Sequence, residues 1–171
     1  MTVSLLMQVR EKQAEATRKA LEPLRKNGLP RQKPERVRLA RDLGQLIAQE
    51  VALWQHGGRE MVRKLIKEAA DRPPEQINLA NDLLHRYLDI VIRVCSALRG
   101  IAGNLTAAGH RVVGVKSLTA VIAECERWRE DLPEQLALAS RPVRSVLRAR
   151  VAQALERAGG NWKRILVGFP R

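Results

Sequence analysis

Residues 74–101 read Pro74-Glu-Gln-Ile-Asn-Leu-Ala-Asn-Asp-Leu-Leu-His-Arg-Tyr-Leu-Asp-Ile-Val-Ile-Arg-Val-Cys-Ser-Ala-Leu-Arg-Gly-Ile101. Apolar side chains recur here at alternating steps of three and four residues, which is the period of one helical face. These seam residues are Ile77, Ala80, Leu84, Tyr87, Val91, Val94, Leu98 and Ile101. Other apolar residues widen the seam, and the polar ones form one narrow strip opposite. A helix of this kind is surrounded by other helices, so the segment predicts a long central helix.

The composition favours helices throughout. The chain has 171 residues, which suits one domain with a real core. It contains only three Trp, one Tyr and one Phe, so the core must be built from Leu, Val, Ile and Ala. That composition suits packed helices better than a β-sandwich. We therefore expect an all-α, single-domain bundle of about six helices around a central buried helix (residues 74–101), with basic N- and C-terminal extensions.

Turn and capping residues divide the chain into three parts of one cooperative domain. Residues 1–33 are a basic N-terminal helix and connector, and we expect the helix to stop at Asn27-Gly28. Residues 34–132 are the helical bundle core, with helix ends predicted at Gly57-Gly58 and a helix start capped by Ser117. Residues 133–171 are a basic C-terminal helix and tail. Gly44 in the second helix predicts a close approach of the central helix.

The net charge of +13 is concentrated at the two ends of the chain. Residues 1–38 carry ten Lys and Arg against four Asp and Glu, a balance of +6. Residues 141–171 carry eight against one, a balance of +7. The segments between them are nearly neutral, and the helix after Ser117 is acidic on its outer face. This asymmetry indicates a polyanionic partner, most often a nucleic acid.

The candidate nucleic-acid-binding residues form two basic clusters, one at each end. They are Arg31, Lys33, Arg36, Arg38 and Arg41, and then Arg141, Arg144, Arg148, Lys163 and Arg164. Helix starts near Pro34 and Pro142 would add backbone N–H donors for phosphate. The scarcity of aromatic residues argues against sequence reading of single strands. It favours a salt-dependent contact with the sugar–phosphate backbone. The alternative interpretation is a solvated basic surface without a partner.

The sequence offers no convincing catalytic or metal-binding set. The three histidines stand in different elements without the spacing of a metal site. His85 lies one turn from Asp82 and from Asp89, which we interpret as a solvated strip with Asp82–Arg86 and Asp89–Arg93 pairs. We expect no enzyme activity, no metal and no cofactor.

Residues 109–117 read Gly109-His-Arg-Val-Val-Gly-Val-Lys-Ser117 and resemble a Walker A phosphate-binding loop. In that loop the second glycine leads directly into Lys, whereas here Val115 intervenes before Lys116. A predicted helix precedes the motif instead of a strand. We interpret these residues as a Gly-rich connector that leads into the next helix.

The cysteine pattern and the N-terminus indicate a cytoplasmic protein. Cys95 and Cys125 lie on apolar helix faces and are expected to be core residues in a reducing compartment. The first residues lack the features of a signal peptide, and no run is expected to be long enough to span a bilayer. We expect no membrane association.

Two functions from different classes fit these observations. The first is a non-enzymatic nucleic-acid-binding or ribonucleoprotein accessory subunit that contacts the backbone of DNA or RNA within a larger complex. The alternative is a helical protein–protein interaction module, an oligomeric scaffold or an antitoxin-like partner, without direct nucleic-acid contact. A homo-oligomer fits the second hypothesis because the long apolar seams can continue between chains.

Overall fold

The computed structural model describes residues 3–69, 72–139 and 141–157. Over these ranges the chain is mostly helical and contains no strand, so the predicted all-α class is confirmed. The α-helices are α1 (Val3–Asn27), α2 (Lys33–Leu53), α3 (Arg59–Ala69), α4 (Pro74–Ala107), α5 (Val115–Ala139) and α6 (Arg141–Arg157). A π-helical turn, Trp54–Gly58, joins α2 to α3 without a break. The described residues thus form five continuous helical runs.

The continuity of α2 and α3 corrects the helix end predicted at Gly57-Gly58. Gly58 is buried, and a Cβ atom on it would lie 2.5 Å from the Tyr87 hydroxyl oxygen and 2.9 Å from the Trp54 ring. Only a residue without a side chain fits there, because α4 packs directly against the turn. The extra residue of a π-helical turn keeps the helix intact at this contact.

α4 packs against α1, α2, α3 and α5. The predicted seam is buried from Ala80 to Ile101, and the helix continues six residues beyond its predicted end, to Ala107. Leu84, Leu88 and Leu98 are completely shielded from solvent. α4 therefore presents buried apolar residues to several neighbouring helices.

By length and composition alone, α4 could also cross a membrane, over the segment Gln76–Ala107. No other helix in the described part of the chain meets this criterion. The expectation that no run is long and apolar enough is therefore wrong. The core helix of a soluble protein meets the same criterion, because it too is apolar on most of its circumference.

α5 lies beside α2 and α3 and runs in the same direction. A Cβ atom on Gly114, just before α5, would lie 2.9 Å from Ile47 of α2. Ten residues further along α5, Glu124 accepts a hydrogen bond of 2.9 Å from the Trp54 indole. The start of α5 thus lies beside the middle of α2, and its end lies toward α3. The predicted N-cap, Ser117, is instead inside the first turn, because α5 begins at Val115.

α1 carries a buried charge that the apolar pattern does not predict. The structure buries Met7, Arg10 and Leu21 and leaves the apolar Val9 43% exposed. The Arg10 guanidinium forms two hydrogen bonds to the two carboxylate oxygens of Glu50 in α2. This pair turns α1 so that a cation, and not Val9, enters the core.

Replacing Glu50 by Ala leaves the Arg10 charge buried without its partner. We expect Glu50→Ala to lower the free energy of unfolding by about 3 kcal/mol or more, because buried unpaired charges are costly. The double variant Arg10→Met/Glu50→Leu removes both charges and should be at least as stable as the parent protein. Urea unfolding followed by circular dichroism measures both effects. A double variant no more stable than Glu50→Ala contradicts this account.

Glu124 joins α5 to α3 through a pH-dependent contact. Arg59 donates two hydrogen bonds of 2.7 Å to its carboxylate. These bonds, with the Trp54 indole, lower the pKa of Glu124 despite its partial burial. A lowered pKa in the folded state stabilises the fold above the unfolded value of about 4.3, and the contribution is lost as the pH falls through the folded value.

We expect Glu124→Gln to cost about 1 kcal/mol of folding stability at neutral pH, a value discounted for the partial exposure of the pair. The difference in unfolding free energy between the variant and the parent protein should narrow as the pH falls from about 5 toward 3, because Glu124 of the parent becomes protonated. Urea unfolding across this range measures the trend. The control is Glu126→Gln, since Glu126 is exposed and has no ion pair within the described ranges. A pH-independent difference for Glu124→Gln contradicts the assignment.

Candidate nucleic-acid interface

A shallow groove of about 580 Å³ separates α2 from the loop that connects α4 to α5. We call it the α2 trough. Its α2 side consists of Val37, Ala40, Arg41, Gly44, Gln45 and Ala48. Its loop side consists of Gly109, His110, Arg111 and Val113. Two arginines thus line one groove, although Arg41 and Arg111 are 70 residues apart in sequence.

A backbone hydrogen bond and two glycine conformations fix the loop side of the trough. α4 ends at Ala107, and the His110 N–H donates a 2.9 Å hydrogen bond back to the Leu105 carbonyl. Gly109 and Gly114 have φ values of 85° and 92°, which glycine adopts without strain. Val112 is buried between the two exposed residues Arg111 and Val113. The buried valine therefore fixes the arginine and the second valine at the surface.

Gly44 contributes to the trough and not to the contact predicted for it. A Cβ atom on Gly44 would lie 3.8 Å from the Val113 carbonyl oxygen, and no atom of α4 comes as close. The predicted approach of the central helix at Gly44 is therefore wrong. The small side chains of this part of α2 instead leave space between the helix and the 108–114 loop.

The N-terminal predicted cluster lies on and just before the first turns of α2. Arg31, Lys33, Arg38 and Arg41 are exposed. Arg36 is half-buried and donates hydrogen bonds of 2.8 and 2.7 Å to the carbonyls of residues 30 and 31. Arg36 thus stabilises the connector, while the other four cations face solvent. Arg41 also approaches the neighbouring Asp42, with 3.4 Å between Nε and Oδ1.

The C-terminal predicted cluster lies elsewhere. Arg141 and Arg144 belong to the first turns of α6, but their side chains lie outside the described part of the structure, as do Lys163 and Arg164 entirely. Arg148 is exposed. α6 follows the far end of α5, whose 25 residues extend about 37 Å from the trough. The two predicted clusters therefore begin at opposite ends of α5.

Arg111, Lys116 and His110 were absent from the predicted set. Residues 29–48 and 108–116 together carry seven Lys and Arg against two Asp and Glu, a local balance of +5. The glycines around this loop were the only sequence signal that pointed to a site there. Arg111 and Arg41 are distant in sequence and line one groove only in the folded chain. The acidic face of α5 does not neutralise this region. Glu124 binds Arg59 instead, and no ion pair joins α5 to the N-terminal cluster in the part described.

A larger groove of about 810 Å³ lies between α1 and α4 and includes His85 with Asp82 and Asp89. Asp89 accepts a hydrogen bond of 2.8 Å from Arg129 of α5. Across the same groove, Arg86 forms a 2.6 Å ion pair with Glu11 of α1.

These contacts show that the predicted Asp82–Arg86 and Asp89–Arg93 pairs are wrong, because the strip of α4 faces two other helices and pairs across them. Within the described ranges, no hydrogen bond joins His85 to either aspartate, and no His, Cys, Asp and Glu cluster could hold a metal ion. The polar strip of α4 thus forms ion pairs that join α4 to α1 and to α5.

The two cysteines are core residues, as predicted. Cys95 and Cys125 are free thiols that are completely buried. Burial raises the pKa of Cys95 to about 12 and also raises the pKa of Cys125. Both side chains therefore stay protonated and unreactive at neutral pH.

Comparisons of the chain with protein-family models, with curated proteins and with solved structures found no match. The assignment of the candidate interface therefore depends only on the geometry and charge of this chain.

Proposed function

We propose that the protein is a non-enzymatic nucleic-acid-binding subunit that contacts the phosphate backbone of DNA or RNA through the α2 trough and the cations beside it. In this proposal the fold is one bundle of six helices organised around α4. The N-terminal cluster makes the primary contact, and α6 offers a second basic surface. The binding surface is expected to operate within a larger protein–nucleic-acid complex in the cytoplasm.

The observation that supports this proposal is that Arg41 and Arg111 line the same groove. The connector brings Arg31 and Lys33 to the same end of α2, and these cations face solvent. A groove lined by charges of one sign raises the local concentration of counter-ions, so anions are drawn to it. Backbone phosphates supply such anions repeatedly along a strand.

The expected chemistry is electrostatic. Each phosphate neutralised by Lys or Arg releases condensed counterions, so affinity falls steeply as salt rises. Arginine suits this contact because its planar guanidinium donates two parallel hydrogen bonds to phosphate oxygens. Such contacts carry no base information, and the proposal accordingly includes no sequence specificity.

A second candidate function, a protein–protein interaction module, is favoured by one specific observation. Leu5, Val9 and Leu53 are 47%, 43% and 45% exposed, and α1 and α2 run antiparallel, which brings these side chains to the same end. Exposed apolar side chains that cluster mark interaction surfaces. None of these three residues lines the α2 trough. The two functions can therefore be tested with separate variants.

The double variant Arg41→Gln/Arg111→Gln tests the nucleic-acid proposal. We expect it to weaken binding to a mixed-sequence oligonucleotide about tenfold or more at about 50 mM salt, since two phosphate contacts are lost. The slope of log affinity against log salt should fall by about 1.5. Fluorescence anisotropy across a salt series measures both quantities.

The matched control is Arg63→Gln/Lys67→Gln, which removes the same charge from exposed positions of α3. An equal loss in both variants would indicate a diffuse charge effect and contradict a localised site. If the parent protein binds no oligonucleotide at low salt yet elutes as a defined oligomer that Leu53→Asn dissociates, the interaction-module function replaces this one.

A further inference from the structure

The α2 trough combines two kinds of surface that a simple phosphate contact does not need together. Val37 is 54% exposed and Val113 is 69% exposed, and they are among the most exposed large apolar residues described. Both line the trough that also includes Arg41 and Arg111. Exposing two valines in a charged groove is unfavourable in water unless a partner covers them.

We propose that the α2 trough binds a short single-stranded segment of nucleic acid, with bases or riboses packed against Val37 and Val113 and phosphates held by Arg41 and Arg111. This inference rests on the proposed function and narrows it to unpaired nucleotides. Val37 and Arg41 lie on one side of the groove, and Arg111 and Val113 lie on the other. A single strand in the groove can therefore contact all four residues.

The apolar lining distinguishes a single strand from a duplex. A duplex stacks its bases inside and presents phosphates and sugars outward, so exposed valines gain little from contact with it. Unpaired nucleotides expose their base faces, which proteins cover with aromatic or apolar side chains. The valines therefore add affinity only for a strand whose bases are accessible.

The floor and length of the trough suit this ligand. Ala40, Gly44, Ala48 and Gly109 are small, which permits a backbone to come close. From Lys33 to Arg41 the helix extends about 12 Å. That length holds only a short segment of an unpaired strand. Lys33, Arg38 and Arg41 are exposed within it.

The test compares an unstructured oligouridylate, an oligodeoxyuridylate of equal length and a duplex of mixed sequence. We expect Val37→Asn/Val113→Asn to weaken binding of the single strands about fivefold to tenfold and to leave duplex binding unchanged. Because no charge is altered, the salt dependence should stay the same. The oligouridylate and oligodeoxyuridylate arms share one base and therefore distinguish ribose from deoxyribose as the sugar preferred. The control is Leu79→Asn, at an exposed apolar residue of α4 that does not line the trough.

A second variant tests the trough by filling it, at a position where the fold tolerates a side chain. Gly44→Gln adds a helix-favouring side chain at a position where a Cβ atom makes only ordinary contacts. Its longer side chain enters the trough, so we expect a similar loss of single-strand binding with helix content and stability maintained. Circular dichroism and urea unfolding check the fold.

The outcomes separate this inference from the function on which it rests. Equal binding of duplex and single strands, with neither valine nor Gly44 variants affecting the single strands, overturns the inference and leaves phosphate binding intact. Failure of the parent protein to bind any of the three probes at low salt removes the proposed function itself. Selective loss of single-strand binding in both variants supports the inference.

Discussion

Burial of the apolar surface of α4 is the constraint on which the other helices depend. Leu84, Leu88 and Leu98 have no exposure to solvent, and each such side chain contributes about 1.5–3 kcal/mol when fully buried. A helix apolar on several sides needs neighbours on each of them. α1, α2 with α3, and α5 supply those neighbours, and the order of their packing brings the 108–114 loop beside α2.

Polar contacts then select one arrangement of the helices against this apolar surface. Hydrophobic contacts tolerate sliding and rotation, whereas the Arg10–Glu50 and Arg59–Glu124 pairs form at one register only. The Trp54 indole shares the carboxylate of Glu124. The contacts of Glu124 fix the register of α5 against α2 and α3, and this register places Val113 next to Gly44. The trough is therefore a consequence of helix register.

Periodicity predicted the features that arise within one helix. The seam of α4, the stop of α1 at Asn27 and the burial of Cys125 in α5 all follow from local spacing and turn residues. Features that need a partner helix were not predictable. Gly58 resembles a helix stop until Tyr87 is seen beside it, and Arg10 resembles a surface cation until Glu50 is opposite. In the same way, Arg111 joins Arg41 only through folding.

The separation of the two basic regions constrains how a polyanion could be bound. The trough and the start of α6 lie at opposite ends of α5, about 37 Å apart, so one short ligand cannot contact both. A long strand that occupies the trough would bring its distal phosphates near α6 at high effective concentration, and a weak second contact would then add affinity. Dependence of affinity on oligonucleotide length beyond the trough would therefore report the use of α6, whereas affinity that levels off at lengths too short to reach α6 would assign binding to the trough alone.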